Sequence, residues 1–216
     1  MAPPRPRAVI FDWDNTLVDS WECIRQSYNM TFRHFDLPEW SMEETQARVA
    51  ASMRDSFPAM FGDRWPEARD VFTAGFAAIH LDYLRPLPGA TAMLEALRDV
   101  GVALAVVSNK RGEFLRKEAD VVGWTPLFAS LIGADDADAD KPDPAPVHLA
   151  LEPTGVTAGP EVWFVGDSPI DMHCAVNSGC VPVLMRLAPP YEGEFAHNPA
   201  RFLRGCGELA ALVREL

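Results

Sequence analysis

Short apolar runs that alternate with longer amphipathic segments limit the fold of this chain more than any other feature. The runs are rich in β-branched residues and are bounded by Gly, Asp, Ser or Asn, which is typical of buried strands. Amphipathic segments such as 90–99 and 113–121 lie between most of them. This alternation predicts an α/β fold with a doubly wound parallel sheet. The predicted strands are Ala8–Phe11, Val102–Val107, Ser130–Ile132, Val162–Val165 and Val181–Met185.

The long segment between the first two predicted strands breaks this alternation. From Ser20 to about Arg85 the sequence predicts helices and no clear strand, and this length exceeds what a single crossover helix needs. We therefore expect a small all-helical domain over 20–85, inserted into a core domain made of 1–19 and 86–216. Its helical patterns cover 21–35, 42–53 and 66–84, and the prolines expected to bound these helices are Pro38, Pro58 and Pro66.

Composition limits the kind of partner that the protein can bind. The chain has 216 residues, of which 48% are hydrophobic, so it can bury a core. A net charge of −12 disfavours binding to nucleic acid or to an anionic membrane, and a phosphorylated substrate would need a local cation. The apolar runs are too short for a membrane span or a signal peptide, and no pattern indicates an oligomeric state.

The cysteines favour a reducing compartment. They show neither a C-x-x-C pair nor the His spacing of a zinc site, so we expect reduced, mostly buried thiols and a cytoplasmic location. The four are Cys23, Cys174, Cys180 and Cys206.

Polar residues are associated with the ends of four predicted strands. Asp12 and Asp14 follow the first strand, although Asp-Asn-Thr is also ordinary turn sequence. Because the carboxyl ends of parallel strands meet at one edge of a sheet, where ligands bind, we expect these side chains to form one site. The others are Ser108, Asn109 and Lys110 after the second strand, Lys141 in the loop after the third, and Asp167 and Asp171 after the fourth.

Taken in order, these motifs resemble those of the haloacid dehalogenase superfamily of phosphohydrolases. The stretches DNTLVDS, SNK and KPDP most resemble the phosphoglycolate phosphatase-like branch, and the resemblance spans Val9 to about Met185. It implies a Rossmann-like core with a helical cap domain at 20–85, and Mg-dependent hydrolysis of a small phosphorylated metabolite. The four motifs are Asp12-x-Asp14-x-Thr16, Ser108, Lys141 and Gly166-Asp167-x-x-x-Asp171.

The resemblance also implies catalytic and metal-binding roles. Asp12 would be the nucleophile, and Asp14 would be the general acid and base. Mg²⁺, which prefers hard oxygen ligands, would be held by Asp12, the backbone carbonyl of Asp14 and Asp167. Lys141 would neutralise Asp12 and a phosphate oxygen, although by itself it could equally be an exposed loop lysine. Asp171 would support the metal from outside its ligand set, cap the helix that begins near Pro169, or do both.

Four further residues are candidates for binding the substrate. Ser108 and the backbone N–H of Asn109 would bind phosphate oxygens. Thr16 would either contact the phosphate or hold its own turn through its hydroxyl. Arg54, in a polar turn predicted at Ser52–Asp55, would bind the anionic tail of the substrate or simply be a solvated surface residue.

Related chemistries are distinguished by single residues. A dehalogenase needs no acid or base at position 14, so Asp14 disfavours that activity, and 20–85 contains no Lys for the Schiff base of a phosphonatase. A β-phosphoglucomutase-type enzyme keeps the same core and cap, and so stays an alternative. A non-enzymatic phosphate-binding regulatory protein is a further one, which the intact set of motifs disfavours.

Overall fold

A computed structural model describes residues 5–49 and 53–215 and divides the chain into two compact units. One unit contains the described residues up to Val18 together with those from Pro86 onwards. The other unit is Asp19–Arg85. The first unit contains the large sheet, and the second is built from helices.

The first unit is organised around a six-stranded sheet in the order β5-β4-β1-β6-β7-β8, in which every pair of neighbours is parallel. Counted among these six strands alone, the order is 3-2-1-4-5-6, as in a Rossmann-like sheet. The predicted doubly wound fold is therefore confirmed. The strands are β1 Ala8–Phe11, β2 Val18–Asp19, β3 Arg85–Pro86, β4 Ala103–Arg111, β5 Ser130–Ala134, β6 Val162–Gly166, β7 Val181–Met185 and β8 Arg201–Leu203, with β2 and β3 forming a separate sheet.

The helices of the second unit are α1 to α4, and those of the first are α5 to α9. Among the described residues, no helix is long and apolar enough to cross a membrane. The helices are α1 Trp21–His34, α2 Met42–Arg48, α3 Met53–Phe61, α4 Trp65–Tyr83, α5 Ala90–Asp99, α6 Gly112–Val121, α7 Ala145–Leu151, α8 Pro169–Asn177 and α9 Cys206–Glu215, with 3₁₀ turns at Gly62–Arg64, Thr125–Leu127 and Glu152–Thr154.

Strand β1 lies in the middle of the sheet and is buried along its whole length. Helices on both faces of a parallel sheet leave its central strands no polar surface, which explains the unbroken apolar run. The chain order reverses between β1 and β6, and the backbone N–H of Asp12 donates to the carbonyl of Val165 at 2.9 Å. The ends of these two strands therefore meet at the switch point, where open α/β sheets bind ligands.

Strand β4 is longer than the sequence pattern predicts. It continues through Ser108, Asn109 and Lys110 to Arg111, with a register shift against β5 between Val107 and Arg111. The prediction that the strand ends at Val107 is therefore wrong. The apolar pattern stops there because the following side chains are polar, whereas the backbone pairing continues.

The helical unit differs from the prediction between its first and last helices. Helix α2 ends at Arg48 and not at Met53, and α3 contains Met53 and Arg54 in place of the predicted polar turn. Pro58 lies inside α3 and does not bound a helix. Ser52 lies outside the described residues. Aromatic side chains on α1, α3 and α4 fill the interior of this unit, among them Tyr28, Phe32, Phe57 and Phe72.

All four cysteines are free and buried, as the sequence predicts.

The turn after β1 has a left-handed residue at its centre. Asn15 has a φ of 61°, a region in which Asn is tolerated better than most residues. The turn is closed by backbone hydrogen bonds, from Leu17 N–H to the Trp13 carbonyl at 2.9 Å and from Asn15 N–H to the Val18 carbonyl at 2.7 Å. This turn sets the direction of the backbone directly after Asp12 and Asp14.

Replacing Asn15 tests the importance of this backbone conformation. We expect Asn15→Ala to lower the free energy of unfolding by about 1 kcal/mol, because alanine pays the steric cost of a left-handed φ. Asn15→Gly, which has no Cβ, should retain more of the stability. Urea denaturation followed by circular dichroism measures both variants, and an alanine variant as stable as the wild type would contradict the expectation.

Candidate active site

Lys141 lies at the centre of the polar cluster at the carboxyl edge of the sheet. Its Nζ is 2.7 Å from Asp12 Oδ1 and 2.7 Å from Asp171 Oδ1. The residue is only 3% exposed, so the alternative of an exposed loop lysine is wrong. The contact brings together the end of β1, the loop after β5 and the first turn of α8.

Three carboxylates surround this lysine. Oxygens of Asp12, Asp167 and Asp171 all lie within 4.8 Å of one another. With one ammonium group against three ionised carboxylates, the cluster has a formal charge of −2. Hard oxygen donors and an excess negative charge are what Mg²⁺ requires, and it commonly takes one or two carboxylates together with water and phosphate. The donor set therefore fits this ion.

Burial and mutual repulsion shift the titration of this cluster. Burial, together with the nearby Asp171 and Asp14, raises the pKa of Asp12 to about 7 although Lys141 opposes the shift. The pKa of Asp167 is also well above its usual range, because of burial and then of repulsion by Asp171 and Asp12. For Lys141, burial alone lowers the pKa, but Asp12 and Asp171 outweigh it and the net direction is upward. Lys141 is therefore charged, whereas Asp12 and Asp167 resist ionisation.

Asp171 caps helix α8, which is one of the two roles that the sequence left open, and it also contacts Lys141. Its Oδ2 accepts from the backbone N–H of Ser168 at 3.1 Å and from the Ser168 hydroxyl at 2.6 Å, which caps α8. Its Oδ1 contacts Lys141. A Cβ at Gly166 would collide with the Asp171 side chain, which explains the glycine of this motif. Support of a metal by Asp171 stays a prediction.

Asn109 holds the backbone of Lys141. Its side-chain Nδ2 donates to the Lys141 carbonyl at 3.2 Å, and its Oδ1 accepts from the Lys141 N–H at 2.9 Å. The Ser108 hydroxyl is buried and accepts from the backbone N–H of Lys110 at 3.2 Å. The end of β4 thereby positions the lysine loop, whereas phosphate binding by Ser108 and Asn109 stays a prediction.

Thr16 and Arg54 lie in different surroundings. Thr16 Oγ1 is buried and has no hydrogen-bond partner among the residues that the structure describes. The prediction that this hydroxyl holds its own turn is therefore wrong, because backbone hydrogen bonds close the turn, and contact of Thr16 with phosphate stays a prediction. Arg54 lies on α3 of the helical unit with an exposed side chain, and its contact with substrate stays a prediction.

Asp14 belongs to a second ion-pair network. Its Oδ1 lies 2.7 Å from the Nζ of Lys110, and the same nitrogen lies 2.6 Å from Glu118 Oε2 on α6. Glu118 Oε2 also accepts from the indole N–H of Trp13 at 2.7 Å. The charges of the two carboxylates raise the pKa of Lys110 although burial opposes this. Asp14 therefore does not share the lysine of Asp12.

The sequence places Lys110 at the expected site but gives it no specific role, and it indicates none for Glu118 or Arg186. The Arg186 guanidinium donates to the Asp167 carbonyl at 3.1 Å. One signal was present for Glu118. It occupies the buried stripe of α6, three residues after Leu115 and next to Ala119, where an apolar residue is expected.

Known proteins that are similar to this chain in sequence or in fold are hydrolases. The family model described as haloacid dehalogenase-like hydrolase matches residues 9–185. A phosphoglycolate phosphatase of Rhodospirillum rubrum is 32% identical over 192 residues, covering 83% of this chain and 79% of that relative. The pyrophosphatase PpaX of Bacillus pumilus is 28% identical, covering 95% of each chain. A haloacid dehalogenase-like family hydrolase from Streptococcus pneumoniae shares the fold, with a TM-score of 0.84, 20% identity, and coverage of 96% of this chain and 98% of that one.

The raised pKa of Asp12 predicts how pH affects the metal-free protein. Between its ordinary value of 3.8 and about 7, the folded protein holds this proton more tightly than the unfolded chain. Ionisation therefore costs stability as the pH rises through this range. We expect the difference in melting temperature between Asp12→Asn and the wild type, measured in EDTA, to grow in favour of the variant from pH 4 to pH 8.

The exposed Asp138 provides the matched control. Asp138→Asn should show no such trend. A difference between Asp12→Asn and the wild type that stays constant with pH would contradict the expectation. Added Mg²⁺ should weaken the trend, because a bound cation favours ionised carboxylates.

Proposed function

This chain belongs to the haloacid dehalogenase-like hydrolase family and is a phosphatase, and we propose that it hydrolyses a small phosphomonoester through an aspartyl-phosphate intermediate with Mg²⁺ as cofactor. The observation that carries the proposal is the buried cluster in which Lys141 contacts Asp12 beside Asp167 and Asp171. A nucleophilic carboxylate, a fixed cation and oxygen ligands for a metal are what phosphoryl transfer to a side chain requires.

In the first step, a carboxylate oxygen of Asp12 forms a bond to phosphorus, and the bond from phosphorus to the leaving oxygen breaks. Asp14 gives its proton to that oxygen, so the product leaves as an alcohol. Only Trp13 separates the two acids in sequence, and each acid is held by a different lysine. The attacking and the proton-donating groups therefore come from one short segment.

In the second step, water attacks phosphorus and the bond to Asp12 breaks. Asp14 takes the proton of this water, which regenerates its acid form, and inorganic phosphate leaves. Asp12 returns to the carboxylate state. Bonds and protons balance over the two steps, and no other group has to change its protonation.

The dianionic phosphate must be neutralised before an anionic nucleophile can approach it. Mg²⁺, when bound, supplies positive charge to the phosphate oxygens. Asp12, Asp167 and the backbone carbonyl of Asp14 would hold it, with Asp171 in support. Lys141 supplies a fixed positive charge, and Ser108, Thr16 and the backbone N–H of Asn109 are proposed to bind phosphate oxygens.

Two substrate classes are supported by relatives. Phosphoglycolate is the leading candidate, because a relative named for that activity shares 32% identity. Inorganic pyrophosphate is a second candidate, since a relative named as a pyrophosphatase matches 95% of this chain. In the helical unit, Arg54 is proposed to bind the anionic tail of the substrate. The free thiols favour a cytoplasmic location.

Activity measurements test the reaction class. We expect phosphate release that requires Mg²⁺ and is lost in EDTA. Asp12→Asn should lower kcat/KM by more than the ~10²- to 10³-fold typical of losing one electrostatic contact, because the nucleophile itself is absent. Asp138→Asn is the control. Activity that is unchanged by EDTA would refute the metal assignment. Near-normal activity of Asp12→Asn would refute the covalent mechanism.

A substrate panel tests the substrate class. Phosphoglycolate, pyrophosphate and glucose 1-phosphate are compared by phosphate release, and glucose 6-phosphate is measured in parallel. We expect the highest kcat/KM with phosphoglycolate. Preference for pyrophosphate would favour the second candidate, and formation of glucose 6-phosphate in place of free phosphate would favour a mutase.

A further inference from the structure

The chain has three lysines, and two of them are buried beside the acids of the proposed mechanism. Lys141 bridges Asp12 and Asp171, and Lys110 bridges Asp14 and Glu118. The third, Lys117, is exposed on α6. The two acids that stand two residues apart in sequence thus have separate, buried ammonium partners.

The support behind Lys110 is itself buried and fixed. Glu118 is 1% exposed, and its Oε2 lies 2.6 Å from Lys110 Nζ and 2.7 Å from Trp13 Nε1. Trp13 is fully buried and packs edge-on against Trp124, with ring centroids 5.6 Å apart. Glu118 is therefore held within the core by its contact with Trp13.

Folding alone does not explain this arrangement. Glu118 lies in the apolar stripe of α6, where an apolar residue would pack without the free-energy cost of desolvating a charge. Replacing a buried ion pair by apolar residues is often neutral or stabilising, so the pair is weak evidence for a role in stability. The pair meets the proposed chemistry at Asp14, whose Oδ1 lies 2.7 Å from Lys110 Nζ.

We infer that Lys110, held by Glu118, is a positioning residue that fixes the Asp14 carboxyl group for proton transfer to the leaving oxygen. The inference rests on the proposed function, in which the bond from phosphorus to the leaving oxygen breaks as Asp14 gives that oxygen its proton. Small errors in the placement of a reacting group can cost ~10²-fold in rate. Lys110 therefore contributes to catalysis through Asp14 and does not itself touch the substrate.

The test compares two leaving groups. An alkyl ester needs a proton on its leaving oxygen, whereas p-nitrophenolate leaves readily without one. The substrates are p-nitrophenyl phosphate and phosphoglycolate, or the alkyl ester that the panel shows to be turned over fastest. We expect Lys110→Met to lower kcat/KM for the alkyl ester by about 10²-fold and to have a much smaller effect on the aryl ester. Asp14→Asn should show the same pattern, and Lys117→Met should match the wild type.

A double-mutant cycle separates positioning from a general loss of structure. If Lys110 acts through Asp14, adding Lys110→Met to Asp14→Asn should cause little further loss for the alkyl ester. The variant Lys110→Met/Glu118→Gln removes both charges and leaves an acceptor for the Trp13 indole, so it keeps the test available if Lys110→Met alone does not fold. It should show the same selective loss.

Equal losses for the two substrates, or additive losses in the cycle, would overturn the inference while leaving the proposed function intact. If Asp14→Asn itself fails to distinguish the two esters, the acid role of Asp14 in the proposed function is wrong, and the inference falls with it. Circular dichroism of every variant confirms that the comparison is between folded proteins.

Discussion

The contact of the Lys141 ammonium group with Asp12 and Asp171 is the interaction on which the rest of the site depends. It joins the end of β1, the loop after β5 and the first turn of α8, and all three side chains are at least nine-tenths buried. Removing one partner of a buried ion pair costs about 3–5 kcal/mol, because the remaining charge has no compensation. Asn109 holds the lysine backbone from the neighbouring strand. The contacts that place the Lys141 loop are therefore the same contacts that set the charge around Asp12.

The two acids after β1 show how one short segment can serve two tasks. Burial, and then repulsion by neighbouring carboxylates, raises the pKa of Asp12 to about 7, in a place where a divalent cation would relieve the repulsion. Asp14 lies beside Lys110, whose other partner is Glu118. Acids with different surroundings are the usual basis for separate roles as nucleophile and as acid or base. Proximity in sequence thus does not imply a shared environment.

Local pattern was enough to predict five of the six strands of the large sheet and the edge at which polar residues gather, because strand alternation and strand-end positions are sequence properties. It missed the three-residue edge strand β8. It was not enough where backbone pairing or tertiary packing decides. Strand β4 continues under polar side chains, Pro58 lies within a helix, and the Thr16 hydroxyl does not close its turn. The Trp13–Glu118 hydrogen bond joins residues 105 positions apart, so no local sequence pattern predicts it.

The central claim is that Asp12 carries the phosphoryl group. The most direct measurement is acid quenching of the enzyme during turnover with Mg²⁺ and substrate, followed by mass spectrometry of the peptide that contains Asp12. We predict a hydroxylamine-labile phosphate on Asp12 that is absent from Asp12→Asn and accumulates in Asp14→Asn if that variant slows hydrolysis more than phosphorylation. Turnover without phosphate on this residue, or phosphate trapped on another side chain, would contradict the claim.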